Sequence, residues 1–376
     1  MTRLQAHMAS MVFFLKWTWS IIKEDFYKLY DDFFEGIVDI SGINRSYITL
    51  LPKITNPETV HDYRPISLMN ISPKLISKLV ADRLQGEILS LIHKNQHGFI
   101  KTRSIQDCLA WGFEYIHQCQ QSKRETIILK LDFEKAFDTV EHEAILLFLD
   151  HLGIPAKWLG WISSILTTGS SSVLLNGVLG KFFQCKRGVK QGDPLSPLLF
   201  VLAADFLQIL INKAASMNLL KAPITAIYRF SNCPVCRWHI ADYAGICKAT
   251  LFFLKSLLSS FADSTGLKVN YKKTQMLPIN VIPEKMQHLA QTFGCAIGSL
   301  RITYLGLPMD TTKPRMEDLT PMMDWVERRL SGCATWLSYT GRLQMINSAI
   351  APIITYALCS IKLHRGVIDN IDRIRK

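Results

Sequence analysis

The stretch RGVKQGDPLSPLLF (187–200) contains the clearest structural signal in this chain. Its first half has the composition of a tight loop, and an apolar pattern with helical spacing begins in its second half and continues to about Met217. Ser196 is placed to cap this helix, and Pro197 suits its first turn. We therefore predict a tight loop that runs directly into a long helix.

Three further stretches predict β-strands. TIILKLDF (126–133) is apolar at nearly every position, as in a strand buried on both faces, and Asp132 follows at its end. SYITLLPK (46–53) is a second β-prone run. Asn176-Gly177 lies between two others, and this dipeptide is the strongest short-range hairpin signal in a sequence. The chain therefore combines sheet with helix.

Helical periodicity covers much of the remaining sequence. Apolar residues at three- and four-residue steps predict an amphipathic helix at about 15–37, whose beginning, including Trp17, we expect to be buried. Further helices are predicted at 73–91 and 251–266, and KVNYKKTQM (268–276) predicts a strand. The C-terminal segment is again helical.

Composition limits the class of protein. The 376 residues are 48% apolar, which is enough for a large core and for two or three subdomains. The net charge of +12 is spread along the chain, which indicates either a nucleic-acid partner or simply a soluble surface. Nine cysteines without a repeating frame argue against a secreted disulfide scaffold. No uninterrupted run approaches the roughly 20 apolar residues of a membrane span.

Asp132 is the first candidate for chemistry. A carboxylate at the end of a buried strand is costly unless a cation or a hydrogen-bond donor compensates its charge. Magnesium prefers a few carboxylates together with phosphate oxygens, and two such ions can stabilise the attacking and leaving oxygens of phosphoryl transfer. An ordinary strand-end carboxylate is the alternative, and it remains open on these residues alone.

The order of several motifs resembles the reverse transcriptases of non-LTR (LINE-type) retrotransposons. The blocks are YRPISL (63–68), QHGFIKTRSIQD (96–107), LDFEKAFD (131–138), RGVKQGDPLSPLLF (187–200), IADY (240–243), GLKVNYKKT (266–274) and YLGLP (304–308). WLSxxGRLxxINS (336–348) resembles the thumb of plant elements of this type. Blocks in this order covering 45–360 make chance similarity improbable.

The resemblance implies an α+β right-hand polymerase with fingers, a palm that contains an antiparallel sheet, and a helical thumb. The implied division is an N-terminal extension at 1–39, fingers at 40–125, palm at 126–310 and a partial thumb at 311–376. The implied reaction extends a DNA 3′ end on an RNA template with dNTPs and two Mg²⁺ ions, or Mn²⁺ in their place. We expect no endonuclease, zinc-knuckle or RNase H region, no membrane partner and no obligatory protein partner. The expected location is the nucleus or cytoplasm.

The resemblance also implies residue roles. Asp132 and Asp242 would hold both metal ions, and Lys273 would protonate the leaving pyrophosphate. The ring of Phe137 would exclude a ribose 2′-hydroxyl by steric clash. The remaining implied nucleotide contacts are Phe133 through its carbonyl, Gln191 and Gly192 at the incoming nucleotide, and Arg64, Lys101 and Arg103 at the triphosphate.

One motif departs from the family pattern. Family members carry two adjacent aspartates where this chain reads Ala241-Asp242-Tyr243. Tyrosine is neutral at pH 7 and offers no charge to a hard divalent cation. We therefore expect a weakened polymerase or, as the alternative, an inactive remnant of a decayed gene copy that at most binds nucleic acid.

A competing motif occupies the same region. Cys233, Cys236 and His239 have the spacing with which a zinc site can begin, but no fourth ligand follows at a useful distance. Ordinary thiols are the other interpretation of these residues, and the sequence leaves both open.

Overall fold

The structure is a computed structural model that describes residues 3–220, 248–310, 314–331 and 337–375. The chain divides into two compact units, each built from discontinuous segments. The first unit comprises Met1–Glu87 and Lys135–Ala203, and the second comprises Ile88–Glu134 and Ala204–Lys376. The predicted division into extension, fingers, palm and thumb stays a prediction.

Helices make up most of the described chain. In chain order they are α1 (Arg3–Phe34), α2 (Ile71–Leu91), α3 (Ile105–Gln121), α4 (Ala136–Thr139), α5 (His142–His151), α6 (Ala156–Thr167), α7 (Ser196–Ser216), α8 (Lys248–Thr265), α9 (Pro283–Phe293), α10 (Thr320–Ser331), α11 (Tyr339–Met345), α12 (Ala351–Ser360) and α13 (Arg365–Arg375). The predicted helices at 73–91 and 251–266 are confirmed as α2 and α8.

The strands are short. They are β1 (Arg45–Pro52), β2 (Tyr63–Met69), β3 (Thr126–Lys130), β4 (Ser170–Leu175), β5 (Val178–Leu179), β6 (Phe183–Gln184), β7 (Gln275–Ile279), β8 (Ala296–Ile297), β9 (Ile302–Tyr304) and β10 (Leu307–Met309).

The sheet of the first unit has the strand order β2-β1-β4-β5, and β6 pairs with β4. β1 runs antiparallel to β2, with Ile48 opposite Ser67, and parallel to β4, with Tyr47 opposite Ser172. The predicted hairpin is confirmed, because Asn176 and Gly177 join β4 to β5 with φ angles of 50° and 83°. Two consecutive positive φ values are what a type I′ hairpin turn requires.

Helix α7 begins as predicted after the glycine-containing loop, but its cap is not the predicted one. Ser196 is the first residue of the helix. The carboxylate Oδ2 of Asp193 accepts hydrogen bonds from the N–H groups of Leu195 (3.1 Å) and Ser196 (2.8 Å) and from the Ser196 hydroxyl (2.8 Å). Asp193 is therefore the capping residue, because a carboxylate accepts more of the unpaired N–H groups of a first turn than a hydroxyl does.

Helix α1 is only partly covered. Near its C-terminal end Phe33 is buried, and the ring of Phe34 meets the edge of Trp161 at 4.8 Å. The predicted burial of its beginning is wrong, because the side chains of Trp17 and Ile21 are 85% and 77% exposed. In this part of α1 the ring of Trp19 contacts those of Phe26 and Tyr27, along the helix itself.

The second unit is built on the sheet β3-β7-β8. β3 is antiparallel to β7, with Ile128 opposite Leu277. Both side chains belong to a buried cluster with residues of α3, α10 and α13, which explains the apolar composition of β3. The strand predicted at 268–276 is wrong in its bounds, because 271–273 form a turn and β7 begins only at Gln275.

Two helical segments of the described chain are long and apolar enough to cross a membrane. In Ser196–Ser216, 67% of the apolar window is buried inside the protein, as in the core helix of a globular domain. In Tyr339–Ser360 the buried share is 12%. The expectation that no membrane takes part in the function stays a prediction.

Candidate active site

Asp132 lies two residues beyond β3 in the second unit, and its side chain is 7% exposed. Its backbone is fixed on both sides. The N–H of Asp132 donates to Oγ1 of Thr274 at 3.3 Å, and its carbonyl accepts from the N–H of Asn270 at 2.7 Å. The turn before β7 therefore holds the backbone from which this carboxylate projects.

Lys273 belongs to the same turn. Its N–H donates to the carbonyl of Asn270 at 3.1 Å, and its side chain is exposed. Phe133 forms a β-bridge with Val269, and its ring lies 6.1 Å from the ring of Phe261. The second unit thus brings together the segments of Asp132, Phe133 and Lys273, while the roles implied for these residues stay predictions.

The other implied metal ligand cannot be placed. Asp242 lies outside the described residues, as do Tyr243 and the zinc candidates Cys233, Cys236 and His239. Among the residues that the structure describes, no three His, Cys, Asp or Glu side chains form a group that could hold a metal ion. The carboxylate of Asp132 and the carbonyl of Phe133 are oxygen donors of the kind that Mg²⁺ prefers, but two ions need a second carboxylate.

In the first unit, the segment 137–141 is joined by hydrogen bonds to the loop that precedes α7. The N–H of Gly188 donates to the carbonyl of Val140, and the N–H of Val189 donates to that of Phe137, both at 2.7 Å. Gly188 has a φ of +78°, and a Cβ there would lie 2.7 Å from the carbonyl oxygen of Asp138. Only glycine allows this approach, so the two segments meet backbone to backbone.

Gln191 and Gly192 are held from two sides. The N–H of Ser67 donates to the carbonyl of Gln191 at 2.8 Å, and Nε2 of Gln191 donates to Oδ1 of Asp138 at 3.2 Å. Gly192 has a φ of +114°, and a Cβ there would lie 3.1 Å from the carbonyl oxygen of Ser67. Strand β2 and the segment that contains Asp138 therefore define the position of this loop.

Phe137 belongs to the same assembly. Its ring stacks on that of Phe200 in α7, with centroids 4.6 Å apart and planes inclined by 23°. Arg64, in β2, is exposed. The first unit thus brings Phe137, Gln191 and Gly192 into one hydrogen-bonded structure.

A partly buried cation in this loop, Lys190, was missed by sequence reasoning. Nζ of Lys190 donates to Oδ1 of Asn44 at 2.7 Å and to its carbonyl at 3.3 Å. Nδ2 of Asn44 in turn donates to the carbonyl of Ile165 at 2.8 Å. Burial lowers the pKa of Lys190. No local pattern marks this contact, because its two partners are 146 positions apart.

The two other cations assigned to the triphosphate lie in the second unit. Lys101 is exposed. Nη1 of Arg103 donates to the carbonyls of His93 at 2.7 Å and Gln96 at 2.6 Å. The N–H of His93 also donates to Oδ2 of the buried Asp205 at 2.9 Å. Part of the guanidinium of Arg103 therefore stabilises a turn, and its role toward a triphosphate stays a prediction.

Comparison with known families agrees with the motif order. Residues 52–237 match the family described as reverse transcriptase (RNA-dependent DNA polymerase). Reverse transcriptases use divalent metal ions and bind an RNA template and a DNA primer. The predicted fold class, a right-hand polymerase of mixed helix and sheet, is confirmed.

Several relatives are proteins of mobile elements. The chain is 24% identical over 370 residues to the transposon TX1 uncharacterized 149 kDa protein of Xenopus laevis, covering 96% of this chain and 27% of the relative. It is 26% identical to the Pol polyprotein of the R2DM element of Drosophila melanogaster, covering 89% of this chain and 31% of the relative. The chain therefore spans less than a third of the length of these two relatives.

One similar solved structure is the telomerase of Candida tropicalis in complex with a TWJ fragment of telomeric RNA. The TM-score is 0.48 and the sequence identity is 13%, with 89% of this chain and 53% of the telomerase chain covered.

Replacing Gly188 by Ala should destabilise the first unit strongly. The new Cβ meets the Asp138 backbone and adopts an unfavourable φ. Gly153→Ala is the matched control, because Gly153 has a φ of +80° with no atom within 4 Å of its Cβ position. Each variant should lose roughly 1–3 kcal/mol through backbone strain, and Gly188→Ala should lose a similar amount again through overlap. Denaturant unfolding measures the difference, and equal losses would contradict the tight approach.

Replacing Asp205 by Asn should change how stability depends on pH. Burial raises the pKa of Asp205 from 3.8 to about 6, so the native state binds more protons than the unfolded chain between these values. The favourable contribution of the protonated form is complete below pH 3.8 and is lost as the pH rises through about 6.

The asparagine of this variant has no charge to desolvate, and its amide oxygen can still accept from His93. The free energy of unfolding of Asp205→Asn relative to the parent should therefore rise between pH 4 and pH 7, by up to roughly 3 kcal/mol. Urea unfolding at several pH values measures this change. Asp263→Asn, at an exposed position of α8, is the control, and a parallel pH profile for parent and Asp205→Asn would refute the prediction.

Proposed function

We propose that this chain, whose residues 52–237 form a reverse transcriptase domain related to those of non-LTR retrotransposons, is the core of an RNA-directed DNA polymerase. It would extend a DNA 3′ end on an RNA template with dNTPs. The observation that carries the proposal is the buried carboxylate of Asp132, two residues beyond the buried strand β3. A finer assignment to plant LINE-type elements rests on the sequence pattern at 336–348.

Asp132, with Asp242 and the carbonyl of Phe133, would hold the divalent ions. When bound, such ions supply positive charge to the attacking and leaving oxygens of phosphoryl transfer. The buried position of Asp132 suits this task, because charge interactions strengthen where water is excluded. The fixed backbone of Asp132 keeps its carboxylate in one place, so little reorganisation is needed during the reaction.

Each residue assigned to the nucleotide would have its own contact. Gln191 and Gly192 would contact its base and sugar, with the ring of Phe137 against C2′ of the sugar. Arg64, Lys101 and Arg103 would pair with the phosphates, and the exposed ammonium of Lys273 would donate a proton to the leaving pyrophosphate. The hydrogen bonds between the segment 137–141 and the loop at 188–191 support a joint role of Phe137 and Gln191.

A second candidate function is supported by Tyr243. A phenol in place of the second aspartate removes a negative charge from the ion-binding set. The chain would then be an inactive remnant that binds nucleic acid through its many cations. Such binding sums many phosphate contacts, so it survives the loss of one catalytic group.

Primer extension on an RNA template separates these functions. If the first holds, Asp132→Asn should abolish extension, whereas Asp263→Asn should leave it unchanged. Tyr243→Asp should raise the rate on the order of 10²-fold, because it restores a group that stabilises charge in the transition state. Incorporation of labelled dNTP over time measures both effects.

Equal background from the parent, Asp132→Asn and Tyr243→Asp would defeat the polymerase proposal for this chain. A gel shift with an RNA–DNA duplex then tests the second function. Affinity should fall steeply with rising salt, and it should be the same for the parent and Asp132→Asn. Absence of a shift at low salt would exclude nucleic-acid binding as well.

A further inference from the structure

Three side chains form an exposed group on the sheet of the first unit, hereafter the aromatic surface: Arg45, Tyr47 and Phe182. The rings of Tyr47 and Phe182 are 5.9 Å apart, and the Arg45 guanidinium lies 5.4 Å from the centre of the Phe182 ring. Tyr47 and Phe182 are 36% and 44% exposed. The aromatic surface thus presents two partly uncovered rings beside a cation.

The sheet topology creates this group from distant segments. Arg45 and Tyr47 alternate with the buried Ser46 along β1, so they share its outer face. β1 is parallel to β4, and β6 folds back on β4 with Phe183 opposite Ser171. The chain that enters β6 therefore places Phe182 beside Tyr47, although the two are 135 positions apart in sequence.

The segments that form the aromatic surface lie in two long stretches of sequence without acidic residues. Neither the segment 40–57, which contains β1, nor the segment 151–192, which contains β4 to β6, has an Asp or Glu residue. Together they contain the cations Arg45, Lys53, Lys157, Lys181, Lys186, Arg187 and Lys190. Of these, Lys157 pairs with Glu35, Arg187 pairs with Glu141, and Lys190 is bonded to Asn44. Lys181, next to Phe182, is exposed. A sheet without acidic residues does not repel a polyanion, and its exposed aromatic rings can stack on flat apolar groups. These two properties are complementary to a polyanion that carries such groups.

We propose that the aromatic surface binds single-stranded nucleic acid by stacking a base on Phe182 and Tyr47 while Arg45 and Lys181 contact the flanking phosphates. The proposal rests on the proposed function for the class of partner, and it adds a binding surface that does not include Asp132. Stacking tolerates any base, because every base has a π-face. The surface therefore gives affinity without sequence preference, and the cations add dependence on salt.

The test measures binding of a fluorescent oligoadenylate and of an abasic oligomer with the same backbone. Alanine replacement of a stacking residue costs roughly 1–3 kcal/mol per base, so Phe182→Ala should weaken oligoadenylate binding by roughly 5- to 150-fold. Binding of the abasic oligomer should stay unchanged, and Phe182→Trp should retain affinity for both. Phe252→Ala is the matched control, because Phe252 is a 58% exposed aromatic residue of the second unit.

Arg45→Gln tests the electrostatic part. This variant should weaken both oligomers and reduce the dependence of affinity on salt by about one phosphate contact. RNA and DNA versions of the oligomer distinguish the two kinds of strand, and equal losses on both are expected for contacts to base and phosphate. Unchanged unfolding midpoints establish that the variants are folded.

Unchanged oligoadenylate binding by Phe182→Ala, or an equal loss on the abasic oligomer, overturns the proposal, and the surface would then be free for a protein partner. Primer extension that depends on Asp132 is scored separately on the same preparations. Its persistence alongside unchanged oligomer binding would refute the aromatic surface but not the polymerase. If no extension that depends on Asp132 is detected, but Phe182→Ala weakens binding of oligoadenylate and not of the abasic oligomer, the result would refute the polymerase but not the aromatic surface.

Discussion

The contact between the Gly188 position and the Asp138 backbone is the constraint on which the first unit depends. A Cβ at position 188 would overlap the backbone of Asp138. Because glycine has no Cβ, the segment 137–141 and the loop before α7 can pair through their main chains. This pairing fixes the backbone of Phe137, whose ring also stacks on that of Phe200, and it holds the loop that continues to Gln191. Lys190 extends the arrangement to Asn44, whose amide reaches α6, so several elements support one short loop. Burial of this ammonium is tolerated because it has two oxygen acceptors.

The second unit holds Asp132 by a different means. Its backbone is bonded to the turn between α8 and β7, while the apolar side chains of β3 anchor the strand in the core. Position and burial thus come from separate sets of interactions. A buried carboxylate costs stability, and a site that retains one despite this cost is typical of functional positions. Asp205 is also a buried carboxylate, without a proposed reaction, and it accepts a hydrogen bond from the N–H of His93, which indicates a structural role.

Local signals in the sequence predicted those features whose causes are local. The hairpin at Asn176-Gly177, the buried strand that precedes Asp132 and the helix ended by Gly266 each depend on a few adjacent residues, and all three are present. The predicted central position of that strand is not found among the described strands, where β3 pairs with β7 and β7 is central. Features that depend on distant contacts were missed or misplaced. The Lys190–Asn44 contact spans 146 positions, and the exposure of Trp17 depends on what the rest of the fold leaves uncovered. The prediction that Ser196 caps α7 was wrong because Asp193, three residues earlier, is an equally good capping residue, and sequence alone does not decide between them. The roles assigned to Arg64, Lys101 and Lys273 remain predictions.

The interleaving of the two units has a consequence for biosynthesis. β3 leaves the ribosome well before β7, because Ile128 and its partner Leu277 are separated by almost 150 residues. Until then the apolar strand has an unpaired edge, which is a template for association with other nascent chains. The first unit, in contrast, has all its segments once Ala203 has been synthesised. If synthesis stops after Ala203 but before β7, the released chain has a complete first unit and an unpaired, apolar β3. Such a chain is expected to be bound by chaperones or degraded by proteases.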